Sequence, residues 1–543
     1  MNCPLCNALM LERIAKQSGK KFMGCSRYPK CKGMVFTSTY QKQEIKRVER
    51  VTNVQGSPEQ ETIWNSVLDP RHLIITALAG SGKTFSIVEY LYRIFGHNPS
   101  AMVLFLAFNV TIVNELLARV PEGIKVKTMN GFGYEIVRSA FPKIRFNEYK
   151  LADTLKRIIP QDDKDTEFFM SVVEKLVNLS KYMLLDGKDH TELDLICIQH
   201  GIELENTIMR AQIYSYVEQA IYLTGKDTKQ VDFTDQLWFV YWHNLPIPRF
   251  DYILGDEIQD WNKLQRYVVI RAANTAKFIG VGDENQAIYG FAGADTQSIP
   301  NMIEQLAQTA KGVQTLSLTF TRRCPKTHVE LAQRIVPNLR AMDTAFDGTV
   351  VSYTYDQMVE WSKQIPMRGM IICRRNAPLI KIAYMLIREG RSVIVRGRDI
   401  GKGLQSLISR LRADTLEELI SHAEQYREKE TYKLSLKPRS ENAIASLNDK
   451  IDTLLALIDG VTTIDALRRT IETLFSNGTE SAIILSSVHR AKGLESDTVI
   501  ILEYDRIQLP MKDPEFAQQE KNLEYIALTR SKRDLILTES QPK

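Results

Sequence analysis

Apolar residues along this chain gather into short runs that end abruptly on glycine or charged residues. LIITAL, residues 73–78, is one strand-length run, and it breaks into AGSGKTFSIVEYLYRIF. That order predicts a strand, a glycine-rich turn and a helix. In FDYILGDEIQD, residues 250–260, four apolar or aromatic residues precede Gly255, Asp256 and Glu257, which predicts a second strand ending on paired carboxylates. LEYIALTRSKRD, residues 523–534, predicts a buried strand or helix end that delivers Arg530 to a defined place. LEELISHAEQYREKE and NDKIDTLLALIDG have the spacing of short amphipathic helices. Residues 37–56 show no clear apolar periodicity and mixed charge, as a linker or a short helix would. No run of about 18 apolar residues occurs, which argues against a membrane-spanning helix.

Strands followed by helices predict an α/β fold, and 543 residues suggest two to four domains. A net charge of +5 permits a polyanionic partner without establishing one. MNCPLCNALM lacks a signal peptide's basic region and apolar core. The expected location is therefore cytoplasmic for a bacterial or phage protein and nuclear for a eukaryotic one. Four of the seven cysteines, Cys3, Cys6, Cys25 and Cys31, fall in the first 31 residues. Written CPLC and CSRYPKC, they form two knuckles that would present four thiolates to one zinc ion. A pair of disulfides is the alternative, disfavoured without a secretion signal.

The glycine-rich turn carries phosphate chemistry. Gly80 and Gly82 let the backbone of Ala79–Thr84 wrap an anion, with Ser81 between them, and the following helix aims its N-terminus at it. Lys83 would meet the β- and γ-phosphates and Thr84 would hold magnesium; Ala77 stands where the loop's first glycine usually lies. At the second strand's end, Asp256 would hold the same magnesium ion and Glu257 would align and deprotonate the attacking water.

Two families are resembled. CPLC and KFMGCSRYPKCK are similar to the zinc ribbon of bacterial type IA topoisomerases, which implies single-stranded DNA binding. Phe22, Tyr28 and Phe36 among Lys20, Lys21, Arg27, Lys30 and Lys32 either stack on bases or form the ribbon's small core. From about residue 57 to the end, the chain resembles superfamily 1 helicases of the UvrD/Rep type. GSPEQ places Gln60 where that family reads the adenine edge. VLFLAFN, KTMNGFG, FIGVGDENQAIYGFAGAD, LTFTRRCPKTHVELA, SSVHRAKGLESDTVIIL and LEYIALTRSK follow as motifs Ia, Ib, III, IV, V and VI.

The resemblance implies two RecA-like parallel-sheet domains with ATP between them, and ATP, magnesium and zinc as cofactors. Arg530 would be the arginine finger on the γ-phosphate, Arg323 a second contact to it, Gln286 its sensor and Glu495 a further nucleotide-site residue. Phe108, Thr128, Phe132, Phe291 and His489 would contact DNA. The implied layout is a zinc ribbon at 1–40 and a linker at 41–56. Domain 1A would take 57–135 and 236–300 and domain 2A 301–403 and 481–543, with helical insertions 1B at 136–235 and a reduced 2B at 404–480. Asn130 stands for the family's usual histidine, Ala292 for an arginine, and Arg322 for the tyrosine that stacks on adenine. The implied function is ATP-dependent movement on single-stranded DNA, 3′-to-5′, with duplex unwinding by a monomeric core. The alternative is a DNA-stimulated motor that remodels protein–DNA complexes within a repair or defence complex. Repair, replication or recombination proteins are the expected partners.

Overall fold

The computed structural model describes residues 10–14, 21–25, 34–35, 54–161, 166–200, 202, 204, 207–290, 293, 295, 297–435, 441–475 and 482–540. It divides into two compact units, residues 1–54 with 111–120, and residues 55–110 with 121–543. In the first, Met10–Ile14 pairs antiparallel with Lys21–Cys25, which pairs antiparallel with Met34–Val35. Cys25 closes the middle strand. Cys3, Cys6, Cys31 and Tyr28, most of the linker, and Phe291 of the larger unit lie outside the described residues.

The larger unit contains two parallel six-stranded sheets. Strands β1 (His72–Ala77), β2 (Val103–Ala107), β3 (Lys125–Thr128), β4 (Tyr252–Gly255), β5 (Lys277–Gly282) and β6 (Val313–Leu318) form the first, in the order β6-β1-β5-β4-β2-β3. Both faces are covered, so β2 and β5 are buried at every position and read as continuous apolar runs. β1, β5 and β4 are neighbours, so the loops that leave their C-terminal ends share one crevice. Val313–Leu318 corrects the boundary expected at residue 300: paired with β1 along its whole length, it belongs to the first sheet. Which sheet a strand joins is a non-local choice that periodicity does not carry.

Helices α1 (Pro58–Asn65), α2 (Lys83–His97) and α3 (Met129–Ala140) flank this sheet. Helices α4 (Lys150–Ile158), α5 (Thr166–Tyr182), α6 (His190–Gln199) and α7 (Thr207–Lys226) form a helical insertion between β3 and β4. It shares one apolar cluster with the first sheet, from Leu104 and Phe132 through Leu155, Val173 and Val217 to Trp238. Beneath it Asp235 is fully buried between Lys150 at 2.6 Å and Lys181 at 2.7 Å. The ammonium groups lie 4.5 Å and 4.6 Å from the ring centres of Phe239 and Trp238. Burial alone would raise the Asp235 pKa; the two lysines outweigh it and hold the carboxyl below its usual range. Breaking such a trio would strand a buried charge, which ties the insertion to the sheet.

The second sheet comprises β7 (Thr349–Tyr353), β8 (Met370–Cys373), β9 (Val393–Val395), β10 (Ile483–Ser487), β11 (Ser496–Leu502) and β12 (Ser531–Thr538), in the order β7-β12-β11-β8-β10-β9. Helix α8 (Ala377–Arg388) follows β8. The second insertion supplies α9 (Arg398–Leu411), α10 (Leu416–Ser435), α11 (Glu441–Ile458) and α12 (Ile464–Leu474). Its Leu407, Leu419, Leu454 and Leu467 join Ile371, Leu485 and Ile500 of the sheet in a single core. Asp449 of α11 accepts hydrogen bonds from the Asn376 and Ala377 N–H groups at the start of α8, at 2.7 and 3.2 Å. Helix α13 (Pro514–Leu528) leads into β12.

Candidate nucleotide and DNA site

The crevice at the ends of β1, β4 and β5 gathers the phosphate chemistry. Gly80 and Gly82 take left-handed φ values of 72° and 83°, and a Cβ at Gly80 would stand 2.4 Å from Thr321 Oγ1. Gly82 caps α2 without a side-chain bond, so the first-turn N–H groups remain for an anion. The buried Ser81 hydroxyl has no hydrogen-bond partner among the described residues. These are the features of a phosphate cradle, and Thr84 lies in the first turn of α2.

Lys83 Nζ lies 3.2 Å from the Glu257 carboxylate. Burial works against the Lys83 charge, but Glu257, Asp283 and Asp256 prevail and raise its pKa. Glu257 has φ 51°, left-handed for a residue with a side chain, a strain of roughly 1–3 kcal/mol that marks functional positions. Burial would raise its pKa; Lys83, Lys492 and a hydrogen bond from Gln259 bring it down to about 2. Asp256 goes the other way, pushed up to about 7 by burial and by the Glu257 charge. A hard dication would remove that penalty, so Asp256 with Thr84 fits magnesium. Gln286 donates to Asp283 Oδ2 at 2.6 Å, one step back from the carboxylate pair.

The second half of the chain reaches into this crevice. The Arg322 N–H donates to Gly80 O at 2.8 Å, and Ala79 N–H donates to the Tyr525 hydroxyl at 2.8 Å. Arg322 donates to Gln60 Oε1 at 2.6 Å. Arg323 pairs with Glu495 at 2.7 Å, and Glu495 also meets Lys532 at 3.5 Å. Arg530 is 1% exposed. Its three nitrogens donate to Ile526 O, Leu494 O and Thr529 Oγ1 at 2.9, 3.2 and 3.0 Å. Burial, then the nearby Arg323 charge, lowers its pKa to about 10. In this arrangement both arginines are engaged by the protein itself.

A second surface adjoins the crevice. Phe108, 47% exposed, stacks on Tyr289 with ring centres 6.3 Å apart and planes 16° from parallel. Thr128 caps α3, accepting from Gly131 N–H at 3.1 Å. The Phe132 ring is buried edge-on to Phe250, so any DNA contact at that position falls to its backbone. His489 is held neutral, its pKa lowered to about 3 by burial and by Arg374 and Arg490. These three residues and Lys175 line an open cleft of about 510 Å³.

Sequence reasoning missed three contributors. Lys492 donates to both Asp260 oxygens at 2.8 and 2.6 Å and to Gln286 O at 2.6 Å, and lies 5.1 Å from the Tyr289 ring centre. One ammonium thus links the carboxylate loop, the Gln286 loop and the aromatic platform. Tyr525 bridges from α13 to the phosphate loop. Phe233, 58% exposed, lies edge-on to Phe146 at 4.7 Å, and its carbonyl accepts from Asn130 at 3.0 Å. The aromatic in DFTDQL was the available signal for Phe233, and SSVHRAKGLESDTVIIL already held Lys492 without singling it out.

The UvrD/REP helicase N-terminal domain profile matches residues 57–307, and the UvrD-like helicase C-terminal domain profile matches residues 297–541. The chain belongs to the UvrD/Rep helicase family. The topoisomerase DNA-binding C4 zinc finger profile matches residues 1–39. Among similar proteins, the F-box DNA helicase protein 1 of Schizosaccharomyces pombe is 23% identical over 90% of this chain and 58% of its own length. The DNA helicase II of Salmonella typhimurium is 26% identical over 50% of this chain and 39% of its own. The Rep helicase of Buchnera aphidicola is 23% identical over 49% and 41%. The chain thus spans about half the length of the curated relatives it matches. Among the described residues of this UvrD/Rep-family chain, no helix is long and apolar enough to cross a membrane.

Proposed function

We propose that this protein is an ATP-driven motor that moves 3′-to-5′ on single-stranded DNA and unwinds duplex DNA. The observation that carries this reading is Lys492, which joins the catalytic carboxylate loop to the Phe108–Tyr289 platform. A base stacking on that platform would bear on the loop that holds Glu257. Base stacking is worth roughly 1–3 kcal/mol and tolerates any sequence, as a translocating motor requires.

Within the crevice the chain's own groups divide the work. Lys83 is held by Glu257 here; a γ-phosphate would draw Lys83 away and free an ionised carboxylate to take the proton of the attacking water. Magnesium held by Thr84 and Asp256 would neutralise charge on the β- and γ-phosphates. Gln286 would sense the γ-phosphate through its tie to Asp283. Arg323 and Arg530 would turn from Glu495 and the backbone carbonyls toward the departing phosphoryl group. In the smaller unit, Cys3, Cys6, Cys25 and Cys31 would hold a structural zinc ion, and Phe22 and Tyr28 would add a second grip on DNA.

Hydrolysis and strand displacement on 3′-tailed, 5′-tailed and RNA duplexes test the reading. The expected result is DNA-stimulated hydrolysis with displacement of the 3′-tailed DNA alone. Stimulated hydrolysis without displacement would favour a remodelling motor, and displacement from 5′ tails would reverse the polarity.

A further inference from the structure

The base end of the nucleotide crevice departs from an adenine reader. Gln60 is fully buried, and its amide orientation is set by two donors. Its Oε1 accepts from Ser57 N–H at 3.0 Å and from Arg322 at 2.6 Å, while its Nε2 donates to Ser86 Oγ at 2.9 Å. A carbonyl oxygen has two lone pairs, and both are taken. An adenine N6 amino group, which needs an acceptor, finds none on Gln60. Arg322, its donor, is exposed. A Cβ at Gly82 would stand 3.5 Å from Gln60 Nε2 and 3.9 Å from Arg322 Cδ, so the pair borders the phosphate loop. What a base edge meets first is a guanidinium fork, all donors and no acceptor.

Resting on the nucleotide-site reading above, we infer that Arg322 makes this motor a purine nucleoside triphosphatase that accepts guanine and hypoxanthine bases alongside adenine. Guanine offers O6 and N7, two acceptors side by side, which arginine engages bidentately; adenine offers an acceptor and a donor. Arg322 satisfies the first edge and only half of the second. Engaged in the plane of the base edge, the guanidinium does not also stack on the ring.

Equilibrium binding of ADP, GDP and IDP to the full chain, by calorimetry without turnover, tests this. IDP isolates O6, because it lacks the guanine amino group. The native protein is expected to bind GDP and IDP within about fivefold of ADP. Arg322→Ala removes the donors and frees Gln60 Oε1, so the ADP-to-GDP preference should rise roughly tenfold, the scale of one lost bidentate pair. Arg322→Tyr should do the same while adding a stacking surface. A native preference for ADP above about twentyfold, or an unchanged ratio in both variants, overturns the inference and leaves an ATP-specific site. Binding of no nucleotide at all would instead bring down the site reading itself.

Discussion

Glu257 and Lys83 hold each other at 3.2 Å, yet their substitutions should diverge. Lys83→Ala removes a phosphate contact and should weaken nucleotide binding as well as hydrolysis. Glu257→Gln keeps the shape of the crevice and should bind ATP normally while failing to turn over. Native-rate hydrolysis by Glu257→Gln would remove it as the base. Asp256 predicts a pH dependence. Its pKa of about 7 means that magnesium must displace a proton at pH 6 but not at pH 8. Magnesium affinity in a calorimetric titration should therefore be weaker at pH 6 than at pH 8. The linked stability has a definite sign: the fold binds more protons at Asp256 than the unfolded chain does, so this group's contribution falls as pH rises from about 4 to 7. Glu257, with a pKa of about 2, contributes oppositely, and that stability is lost as pH drops below its unfolded value. Arg530 joins two roles. Arg530→Ala should cut hydrolysis on the order of 10³-fold and leave DNA affinity intact. It should also lower the melting temperature, because a large buried side chain is lost and Leu494 O loses its side-chain donor. A lower melting temperature with native turnover would reduce Arg530 to a structural residue.

Among elements, α9–α12 are the part whose role the packing changes most. As amphipathic helices they could have formed a separate body on a hinge. Instead they complete the core of the second sheet, with Leu454 and Leu467 fully buried against it, and Asp449 caps α8. Helix N-termini gain from a carboxylate acceptor, so Asp449→Ala should destabilise by about 1–2 kcal/mol. Because the core is shared, Leu454→Ala should lower the melting of sheet and insertion together, by about 2–5 kcal/mol. Separate transitions in calorimetry would show that the insertion is an independent body. Fluorophores on α10 and β7 should keep one separation with and without nucleotide, since a rotation would expose that core.

For the whole molecule, the motor signatures lie in the larger unit, so removing residues 1–56 should leave an enzyme that folds and hydrolyses ATP at its native maximal rate. The loss should appear in DNA affinity: more DNA for half-maximal hydrolysis, shorter unwinding runs and a shallower salt dependence, as fewer lysines meet phosphates. Cys25→Ser should reproduce the truncation, because three thiolates hold zinc poorly. Equal affinity and salt slope with and without these residues would leave partner docking as the ribbon's role.

Where the chain's chemistry is local, the sequence alone determined it. A phosphate loop needs its glycines, lysine and threonine within one turn, and paired carboxylates need only a strand end, so Gly80–Thr84, Asp256 and Glu257 could be named as candidates from the sequence, and the fold brings them to one crevice. Strand-length apolar runs ahead of helices carried the α/β class for the same reason, and the spacing of LEELISHAEQYREKE and NDKIDTLLALIDG carried their helices. What depended on residues far apart was settled by the tertiary structure. β6 joined the first sheet by pairing with β1, Lys492 found Asp260 across 232 residues, and Arg322 found Gln60 across 262. Such contacts are set by which surfaces bury together, and no local pattern encodes a partner's identity. Even Arg530, singled out by the break in its apolar run, had its present partners decided by burial, which turned its guanidinium onto the nearest carbonyls.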